Sequence, residues 1–253
     1  MEYTLKKTLG QHFLKDDSVI KKIIASLAES KSTTNNLLEI GPGAGALTKY
    51  LVQFPGIDFK AVEIDHEKVI YLQKKFPALK GKLIEKDFLE MEPPYEEAFR
   101  VIGNFPYNIS TQILFKILAW KHLVPEIIGM FQKEVALRIA AAPGNKTYGI
   151  TSVLVQAFYD VEYLFDISPQ SFTPPPKVMS GMIRLKIRHE FPEMRNEAYF
   201  FRLVKSAFNQ RRKMLRNAVK PFFTEDVLKD ELFNRRAETL SVDEFAQLTF
   251  RMQ

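Results

Sequence analysis

Short apolar runs alternate with helix-like stretches over the first 160 residues of the chain. The apolar runs predict buried strands at 37–40, 59–64, 82–85, 99–104 and 126–131. Apolar stripes at helical spacing predict helices at 16–29, 46–54, 111–120 (capped by Ser110) and from 133 onward. Strands that alternate with helices are typical of βαβ units. We therefore predict an α/β fold with a mostly parallel sheet that helices cover on both faces.

The C-terminal part of the chain follows a different pattern. A helix is predicted at 150–158, and two closely spaced strands follow at 161–167 and 178–187. Such a pair suggests antiparallel strands at one edge of the sheet. From Phe191 onward the pattern is purely helical, so we predict a domain boundary near residue 190. Residues 1–190 would form the α/β domain and residues 191–253 a small helical domain.

The composition of the 253-residue chain, 46% hydrophobic and 26% charged, is that of an ordinary soluble globular protein. The absence of cysteine excludes disulfides and thiolate zinc sites. The four histidines show no ligand spacing, and we predict no metal site. No apolar run reaches the roughly 18 residues of a membrane span, and the N-terminus has no apolar signal-peptide core. We expect a cytoplasmic protein without membrane contact.

Two stretches that contain basic residues but no aspartate or glutamate indicate a polyanionic partner. The formal net charge is +6, and no acid lies between Glu197 and Glu225 or between Glu2 and Asp16. The residues predicted to contact nucleic acid are Lys6, Lys7, Arg211, Arg212, Lys213, Arg216 and Lys220. A helix over the second stretch would pack Met214, Leu215, Ala218 and Val219. The alternative is a pair of solvated basic faces, which charge runs usually form.

A glycine loop, Gly41–Ala46 (GPGAGA), separates the first predicted strand from the next helix. Glycines at such a turn let a ligand approach the backbone closely, and Glu63 at the end of the second strand is placed to hold ribose hydroxyls. Asp87 ends the third strand, where a carboxylate can accept a hydrogen bond from an adenine amine or can be an acid solvated in a loop. The loop also satisfies the looser dinucleotide pattern G-x-G-x-x-A, so NAD is a competing ligand.

The tetrapeptide Asn104-Phe105-Pro106-Tyr107 ends the fourth predicted strand and suits the presentation of a base amine to an electrophile. Adenine N6 is a poor nucleophile because its lone pair is delocalised into the ring. The Asn104 side-chain oxygen and the Phe105 carbonyl would favour the tetrahedral geometry that frees this lone pair. Pro106 stiffens the turn, and the Tyr107 ring offers a stacking face. The alternative is an ordinary turn at a helix entry.

Three features favour S-adenosylmethionine over NAD as the ligand of the glycine loop. Acidic Glu39 lies two residues before the first glycine, and a third glycine stands at position 45. Hydride transfer has no use for the tetrapeptide, whereas S-adenosylmethionine beside it would give a methyl donor facing a base amine. Phe172, in a proline-stiffened loop that is not expected to bury an aromatic, is predicted to sandwich the base opposite Tyr107 or to plug a sheet edge.

Seven separated motifs occur in order along nearly the whole chain. They are Leu9–Leu14, Leu38–Gly43, Gly103–Ser110, Gln132–Val135, Ser171–Val178, Phe208–Lys213 and Arg236–Ser241. Together they resemble those of the KsgA-type ribosomal RNA adenine dimethyltransferases. The resemblance implies a class I S-adenosylmethionine-dependent methyltransferase domain with a doubly wound, mostly parallel sheet. It also implies a small all-helical C-terminal domain that recognises rRNA.

Members of that family use S-adenosylmethionine to dimethylate N6 of two adjacent adenosines near the 3′ end of small-subunit (16S) rRNA. The resemblance implies the same enzyme activity here, on immature small ribosomal subunits, and we expect a monomer. The implied cofactor contacts are His12, Leu14, Gly41, Glu63, Asp87 and Asn104. The implied catalytic residues, which handle the base, are Asn104, Tyr107 and Phe172.

The chain departs from the family pattern at two positions. His12 occupies a place often held by Asn, so its cofactor contact is through the backbone or the imidazole, and Phe105 replaces a frequent Leu.

The sequence leaves two alternative functions open. One alternative is the sister group that methylates a large-subunit rRNA adenosine and confers macrolide resistance. The C-terminal motifs favour the small-subunit enzyme. The other is a non-catalytic RNA-binding assembly factor on the same fold, against which intact Asn104 and Tyr107 argue.

Overall fold

The structure is a computed structural model that describes residues 12–30, 32 and 34–253. Lys6 and Lys7 lie outside the described residues. The strands are β1 (Phe13–Leu14), β2 (Asn36–Ile40), β3 (Asp58–Glu63), β4 (Leu83–Glu85), β5 (Phe99–Asn104), β6 (Glu126–Gln132), β7 (Tyr159–Ile167), β8 (Phe172–Thr173) and β9 (Ser180–Ile187). The helices are α1 (Asp17–Ala28), α2 (Thr48–Leu51), α3 (His66–Lys75), α4 (Ser110–Ala119), α5 (Lys133–Ala140), α6 (Ile150–Gln156), α7 (Glu197–Asn209), α8 (Leu215–Val219), α9 (Glu225–Leu228) and α10 (Val242–Leu248).

Seven strands form one sheet in the order β4-β3-β2-β5-β6-β9-β7. The pairs within β4-β3-β2-β5-β6 are parallel, and β9 is antiparallel to β6. This confirms the predicted α/β fold with a mostly parallel sheet. From β2 the chain winds outward to β3 and β4, and it then returns to place β5 and β6 on the other side of β2. The strand order therefore reverses beside β2, and in open sheets of this kind ligands bind outside the carboxyl ends of the strands at such a reversal.

Burial on both faces explains why the central strands are so apolar. Leu37 and Leu38 of β2 point to opposite faces of the sheet, and both side chains are fully buried. Helix α1 covers one face with the stripe Ile20, Ile23 and Leu27, and the Asp16 carboxylate caps its first turn. These contacts are the ones that the hydrophobic spacing of the sequence predicts.

Two local predictions need correction. The helix expected at 46–54 is only α2, because Gly45 has φ +80° and residues on either side of α2 form turns. Ser110 does not cap α4: it is the first helical residue, and its hydroxyl donates to the Tyr107 carbonyl at 3.3 Å. The serine therefore ties the start of α4 to the tetrapeptide turn.

The chain divides into two compact units. The first contains the described residues up to 136 together with 162–187, and the second contains 137–161 and 188–253. The second unit is mostly helical: α6, α7, α8, α9 and α10 all lie in it, around buried aromatics that include Phe200, Phe233 and Phe245. The sequence assigned 137–161 to the α/β domain, and the boundary near residue 190 stays a prediction. Among the described residues, no helix has the length and apolar character that crossing a bilayer requires.

Two buried arginines of the sheet hold the C-terminal end of α1: Arg184 of β9, and Arg100 of β5, which donates to the Leu27 carbonyl at 3.5 Å. Arg184 of β9 donates to the Ser26 carbonyl at 2.6 Å and to Glu162 at 2.8 Å, and its Nε lies 3.5 Å from Oε1 of Glu126. Arg184 and Glu126 are both buried. Because the last carbonyls of a helix lack helical partners and carry partial negative charge, an arginine there stabilises the helix end. The sequence analysis missed this cluster.

Candidate active site

A cleft of about 260 Å³ opens in the first compact unit at the carboxyl ends of β2, β3 and β5. Seven of the predicted site residues line it: His12, Leu14, Gly41, Glu63, Asp87, Asn104 and Tyr107. They come from separate parts of the chain and meet because parallel strands end at the same edge of a sheet. The cleft lies where the strand order reverses, as the fold requires of a ligand site.

The glycine loop forms one wall of the cleft, and its backbone conformation explains its glycines. Gly41 and Gly43 have φ values of +66° and +57°, which side-chain-bearing residues rarely adopt. A Cβ on Gly43 would also lie 3.1 Å from the Phe13 ring. The loop thus presents bare backbone to the cleft while Phe13 packs behind it.

Glu63 braces this loop from the end of β3. One carboxylate oxygen accepts the Gly43 N–H at 3.2 Å, and the other accepts the N–H groups of Ile64 and Asp65, both at 3.1 Å. A carboxylate has about four acceptor positions, so three bonds leave one for a ligand hydroxyl. The side chain is buried yet lines the cleft, which is the arrangement that a ribose-binding carboxylate needs.

Glu39 lies beneath the glycine loop as a buried acid. Its carboxyl accepts a 2.7 Å hydrogen bond from the Thr48 hydroxyl. Burial, with a smaller contribution from the nearby charge of Glu63, raises the pKa of Glu39 to about 8 against the opposing effect of the Thr48 bond. Glu39 is therefore largely protonated at neutral pH, and it does not add a second charge beside Glu63.

Asp87 and Lys68 add polar groups to the lining of the cleft. Oδ1 of Asp87 accepts the Leu89 N–H at 2.9 Å and so caps the short 3₁₀ turn Phe88–Glu90. Lys68 is 1% exposed, its Nζ lies 3.4 Å from Asp65 and 5.1 Å from the centre of the Phe13 ring, and it lines the cleft. The sequence analysis missed Lys68; its i,i+3 spacing from Asp65 on α3 was the available signal.

Asn104 is oriented by the N-terminal segment. Its Nδ2 donates a 3.0 Å hydrogen bond to the backbone carbonyl of His12. Because a carbonyl only accepts, this bond decides which end of the amide is oxygen. Among the described residues, none donates to Oδ1 of Asn104 or to the Phe105 carbonyl. Two acceptors at the end of β5 thus remain available to a base amine.

The Phe105 ring lies on a surface made by two paired glycines. Gly103 of β5 and Gly129 of β6 are opposite each other in the ladder. A Cβ on either one would lie within 2.7 Å of the ring. The fully buried ring also meets Phe131 edge-on, with centroids 5.2 Å apart. This close fit accommodates a phenylalanine ring at position 105.

His12 touches the site in two ways. Its backbone carbonyl accepts from Asn104, and its Nδ1 donates to the Pro174 carbonyl at 2.8 Å. Its ring centroid lies 5.5 Å from that of Tyr107, with the planes tilted by 30°. Around it, β1 pairs with β8, so Leu14 lies opposite Phe172. In this structure the backbone of His12 supports Asn104, while the imidazole faces Tyr107 and Pro174.

Phe172 is not where the sequence analysis expected it. The residue belongs to β8, its side chain is fully buried in the apolar core, and it does not line the cleft. The expectation that a proline-stiffened loop would not bury an aromatic within a regular element is wrong, because pairing with β1 gives the loop a strand. The base-stacking role of Phe172 stays a prediction, and it requires the ring to leave the core.

The basic stretch of the second unit contains both paired and exposed side chains. Arg211 donates to Glu238 at 2.8 Å and to the Lys146 carbonyl, and Arg216 donates to Asn234. Arg212 and Lys213 are exposed in the turn before α8. Lys220 is also exposed, with Glu225 4.0 Å away.

One packing prediction for this stretch is wrong. Leu215, Ala218 and Val219 are buried as expected, but Met214 is 49% exposed because it precedes the first turn of α8.

Across the described residues of both units, no group of three or more histidine or acidic side chains is arranged to hold a metal ion.

A ligand cleft at the reversal point of this seven-stranded sheet, with the acidic Glu63 at the end of β3, is typical of the Rossmann-like folds to which methyltransferases belong. The sequence pattern of the Ribosomal RNA adenine dimethylase family matches residues 3–252, and the chain belongs to that family. It is 52% identical over 247 residues to the Ribosomal RNA small subunit methyltransferase A of Cytophaga hutchinsonii, across 96% of this chain and 95% of the relative. The protein of the same name from Flavobacterium johnsoniae is 50% identical, across 98% and 95%.

One solved structure agrees with this assignment, and a second shares the fold. A dimethyladenosine transferase from Plasmodium falciparum matches with a TM-score of 0.76 and 25% identity, over 94% of this chain and 96% of that one. The 23S rRNA methyltransferase ErmE matches with a TM-score of 0.68 and 24% identity, over 93% and 99%. The likeness to ErmE shows a shared fold alone.

Proposed function

We propose that this protein transfers methyl groups from S-adenosylmethionine to N6 of two adjacent adenosines near the 3′ end of small-subunit (16S) rRNA. The observation that carries the proposal is the pair of open acceptors, Asn104 Oδ1 and the Phe105 carbonyl, on two residues that line the cleft beside the glycine loop and Glu63. Family membership and two relatives named small subunit methyltransferase A support the choice of substrate.

The cleft fits S-adenosylmethionine on its own residues. Glu63 keeps one acceptor position for a ribose hydroxyl, and the glycine loop allows close approach to its backbone. Asp87 is placed to accept from an adenine amine. When bound, S-adenosylmethionine supplies an electrophilic methyl group on a sulfonium. Because Glu39 is largely neutral at pH 7, it adds no negative charge beside the glycine loop.

Asn104, Phe105 and Tyr107 handle the target base. The two acceptors bind the hydrogens of the adenine amine and favour the pyramidal nitrogen, an interaction that grows stronger in the transition state. The Tyr107 ring stacks on the extruded base. A general base at the amine is unnecessary, because the methylated nitrogen can lose its proton to water. Phe172 is proposed as the second stacking ring, after movement of its loop.

Several finer features belong to the same proposal. The substrate is the immature small subunit, since assembled RNA holds the target in shape, and nothing in the cleft reads the surrounding sequence. The exposed basic residues Arg212, Lys213 and Lys220 contact rRNA phosphates, and Arg211 and Arg216 do so after release from their partners. The protein acts as a cytoplasmic monomer without a metal.

Labelling of separated ribosomal subunits tests the proposal. Each subunit, taken from cells that lack this protein, is incubated with the enzyme and radiolabelled S-adenosylmethionine, and the modified nucleotides are mapped. We expect label at two adjacent adenosines of small-subunit rRNA, with monomethylated intermediates at early times. Label chiefly in large-subunit rRNA would favour the macrolide-resistance type of enzyme. No label in either RNA would favour a non-catalytic assembly factor.

A further inference from the structure

The hydroxyl of Tyr107 is bonded to a residue that none of the motif-based assignments includes. Tyr107 Oη lies 2.5 Å from Oγ of Ser180, the first residue of β9, although the two are 73 positions apart in the chain. Ser180 is fully buried, and Tyr107 is partly buried. The Tyr107 ring, which is proposed to stack on the target base, is thus hydrogen-bonded through its hydroxyl to the first residue of β9, a strand that lies between β6 and β7 in the sheet.

Ser180 is itself held in place by the strands around it. It lies opposite Gln132 at the end of β6, in the antiparallel ladder of β6 and β9. The next residue, Gly181, has no room for a side chain, since a Cβ there would lie 2.6 Å from the Tyr163 hydroxyl and 2.9 Å from Ala136. A group on a packed strand is more precisely placed than one on a loop, so Ser180 is a rigid point of attachment.

Stacking alone does not require the Tyr107 hydroxyl, because a phenylalanine ring would offer the same face. What the hydroxyl adds is a fixed ring orientation before the base arrives, which removes an ordering cost from base binding. Burial raises the pKa of Tyr107 above its ordinary value, against the opposing effect of the Ser180 bond, so the phenol stays neutral. Ionisation of the phenol therefore does not disrupt the bond between the two hydroxyls near neutral pH.

We propose that Ser180 is a positioning residue for methyl transfer: its buried hydroxyl holds the Tyr107 ring in the orientation that receives the target adenine. The proposal rests on the base-stacking role of Tyr107 proposed above. It predicts that the serine acts on the rate only through the tyrosine.

A double-mutant cycle tests this dependence. Single-turnover methyl transfer to small subunits from cells lacking this protein is measured for wild type, Ser180→Ala, Tyr107→Phe and the double variant, at saturating enzyme and S-adenosylmethionine. Each single change should slow transfer about 3- to 10-fold, the size expected for one lost hydrogen bond. The double variant should be no slower than the slower single variant, because both changes remove the same bond. The KM for S-adenosylmethionine should stay at the wild-type value.

Ser152→Ala is the matched control. Ser152 is also fully buried and hydrogen-bonded, to the Gly149 N–H in the second unit, but it makes no contact with the cleft. It should lower the melting temperature while leaving the single-turnover rate unchanged. If Ser180→Ala does not fold, Tyr107→Phe alone still tests the bond, because its ring retains the stacking face.

Two results would overturn the proposal. One is a wild-type rate for Ser180→Ala or for Tyr107→Phe. The other is a double variant whose loss is the product of the two single losses, which would make the serine independent of the tyrosine. The variant Tyr107→Ala distinguishes a failure of the proposed role of Ser180 from a failure of the proposed stacking by Tyr107. A wild-type rate for Tyr107→Ala would contradict stacking itself, whereas a slow Tyr107→Ala with a normal Ser180→Ala would overturn only the role of Ser180.

Discussion

The side-chain amide of Asn104 donates a 3.0 Å hydrogen bond to the backbone carbonyl of His12, across 92 positions of the chain. The end of β5 and the N-terminal segment therefore fix each other. The bond uses the donor end of the amide and leaves the acceptor end for the substrate. An amide suits this position because it can donate from its nitrogen and accept at its oxygen at the same time.

The Asn104 side chain should be essential for methyl transfer and dispensable for folding. Asn104→Ala removes the acceptor for the base amine and should lower the single-turnover rate by about 100- to 1,000-fold or more, as for loss of a group that acts in the transition state. Asn104→Asp keeps an acceptor but cannot donate to the His12 carbonyl, so it should also be slow. Binding to small subunits should be nearly unchanged in both. Wild-type transfer rates in Asn104→Ala would show that the amide has no part in the chemistry.

Glu63 should control affinity for S-adenosylmethionine. Glu63→Ala removes the ribose acceptor and leaves the N–H groups of Gly43, Ile64 and Asp65 without their carboxylate, so it should cost about 1 to 3 kcal/mol of binding. Calorimetry should detect this as a weaker Kd. The exposed Glu92→Ala is the control and should bind as wild type. Tight binding of NAD to the wild-type protein would contradict the cofactor assignment.

Glu39 should make the stability of the free protein depend on pH. The folded-state pKa of about 8 lies above the ordinary value of 4.5, so the folded protein binds the extra proton between these values. The contribution of Glu39 to the free energy of unfolding should be complete below pH 4.5. It should be lost as the pH rises toward 8, by an amount on the order of a few kcal/mol. Glu39→Gln keeps an acceptor for Thr48 and should abolish this part of the dependence. Denaturant unfolding of both proteins from pH 5 to 9 measures it, and parallel curves would contradict a buried neutral acid.

The exposed basic residues of the second unit should set the salt dependence of RNA binding. Neutralising Arg212, Lys213 and Lys220 should weaken binding to small subunits. It should also flatten the plot of log Kd against log salt by about 0.7 to 0.9 per lost phosphate contact. Binding titrations at several salt concentrations give this slope.

A matched triple variant shows whether position or total charge matters. Lys74, Lys80 and Lys186 are exposed lysines of the first unit, so replacing them changes the net charge equally. Neutralising these three lysines should leave the slope of log Kd against log salt unchanged. Equal slopes for both triple variants would indicate that the basic stretch is only a solvated face.

The sequence predicted the fold and most of the cleft because both depend on local patterns. Apolar runs located the strands, and residues that end parallel strands, such as Glu63 and Asn104, necessarily meet at one edge of the sheet. The features that the sequence missed depend on pairing between distant segments. Phe172 is buried because β8 pairs with β1, and Tyr107 meets Ser180 because β9 inserts beside β6. No local spacing signals either pairing.

Mass spectrometry of rRNA tests the central claim most directly. Small-subunit rRNA is compared from cells that lack this protein, from cells complemented with the wild type, and from cells complemented with Asn104→Ala at matched protein levels. The account predicts that two adjacent N6,N6-dimethyladenosines near the 3′ end are absent without the protein, restored by the wild type and not restored by Asn104→Ala. Dimethylation that persists without the protein, or that Asn104→Ala restores in full, would contradict it.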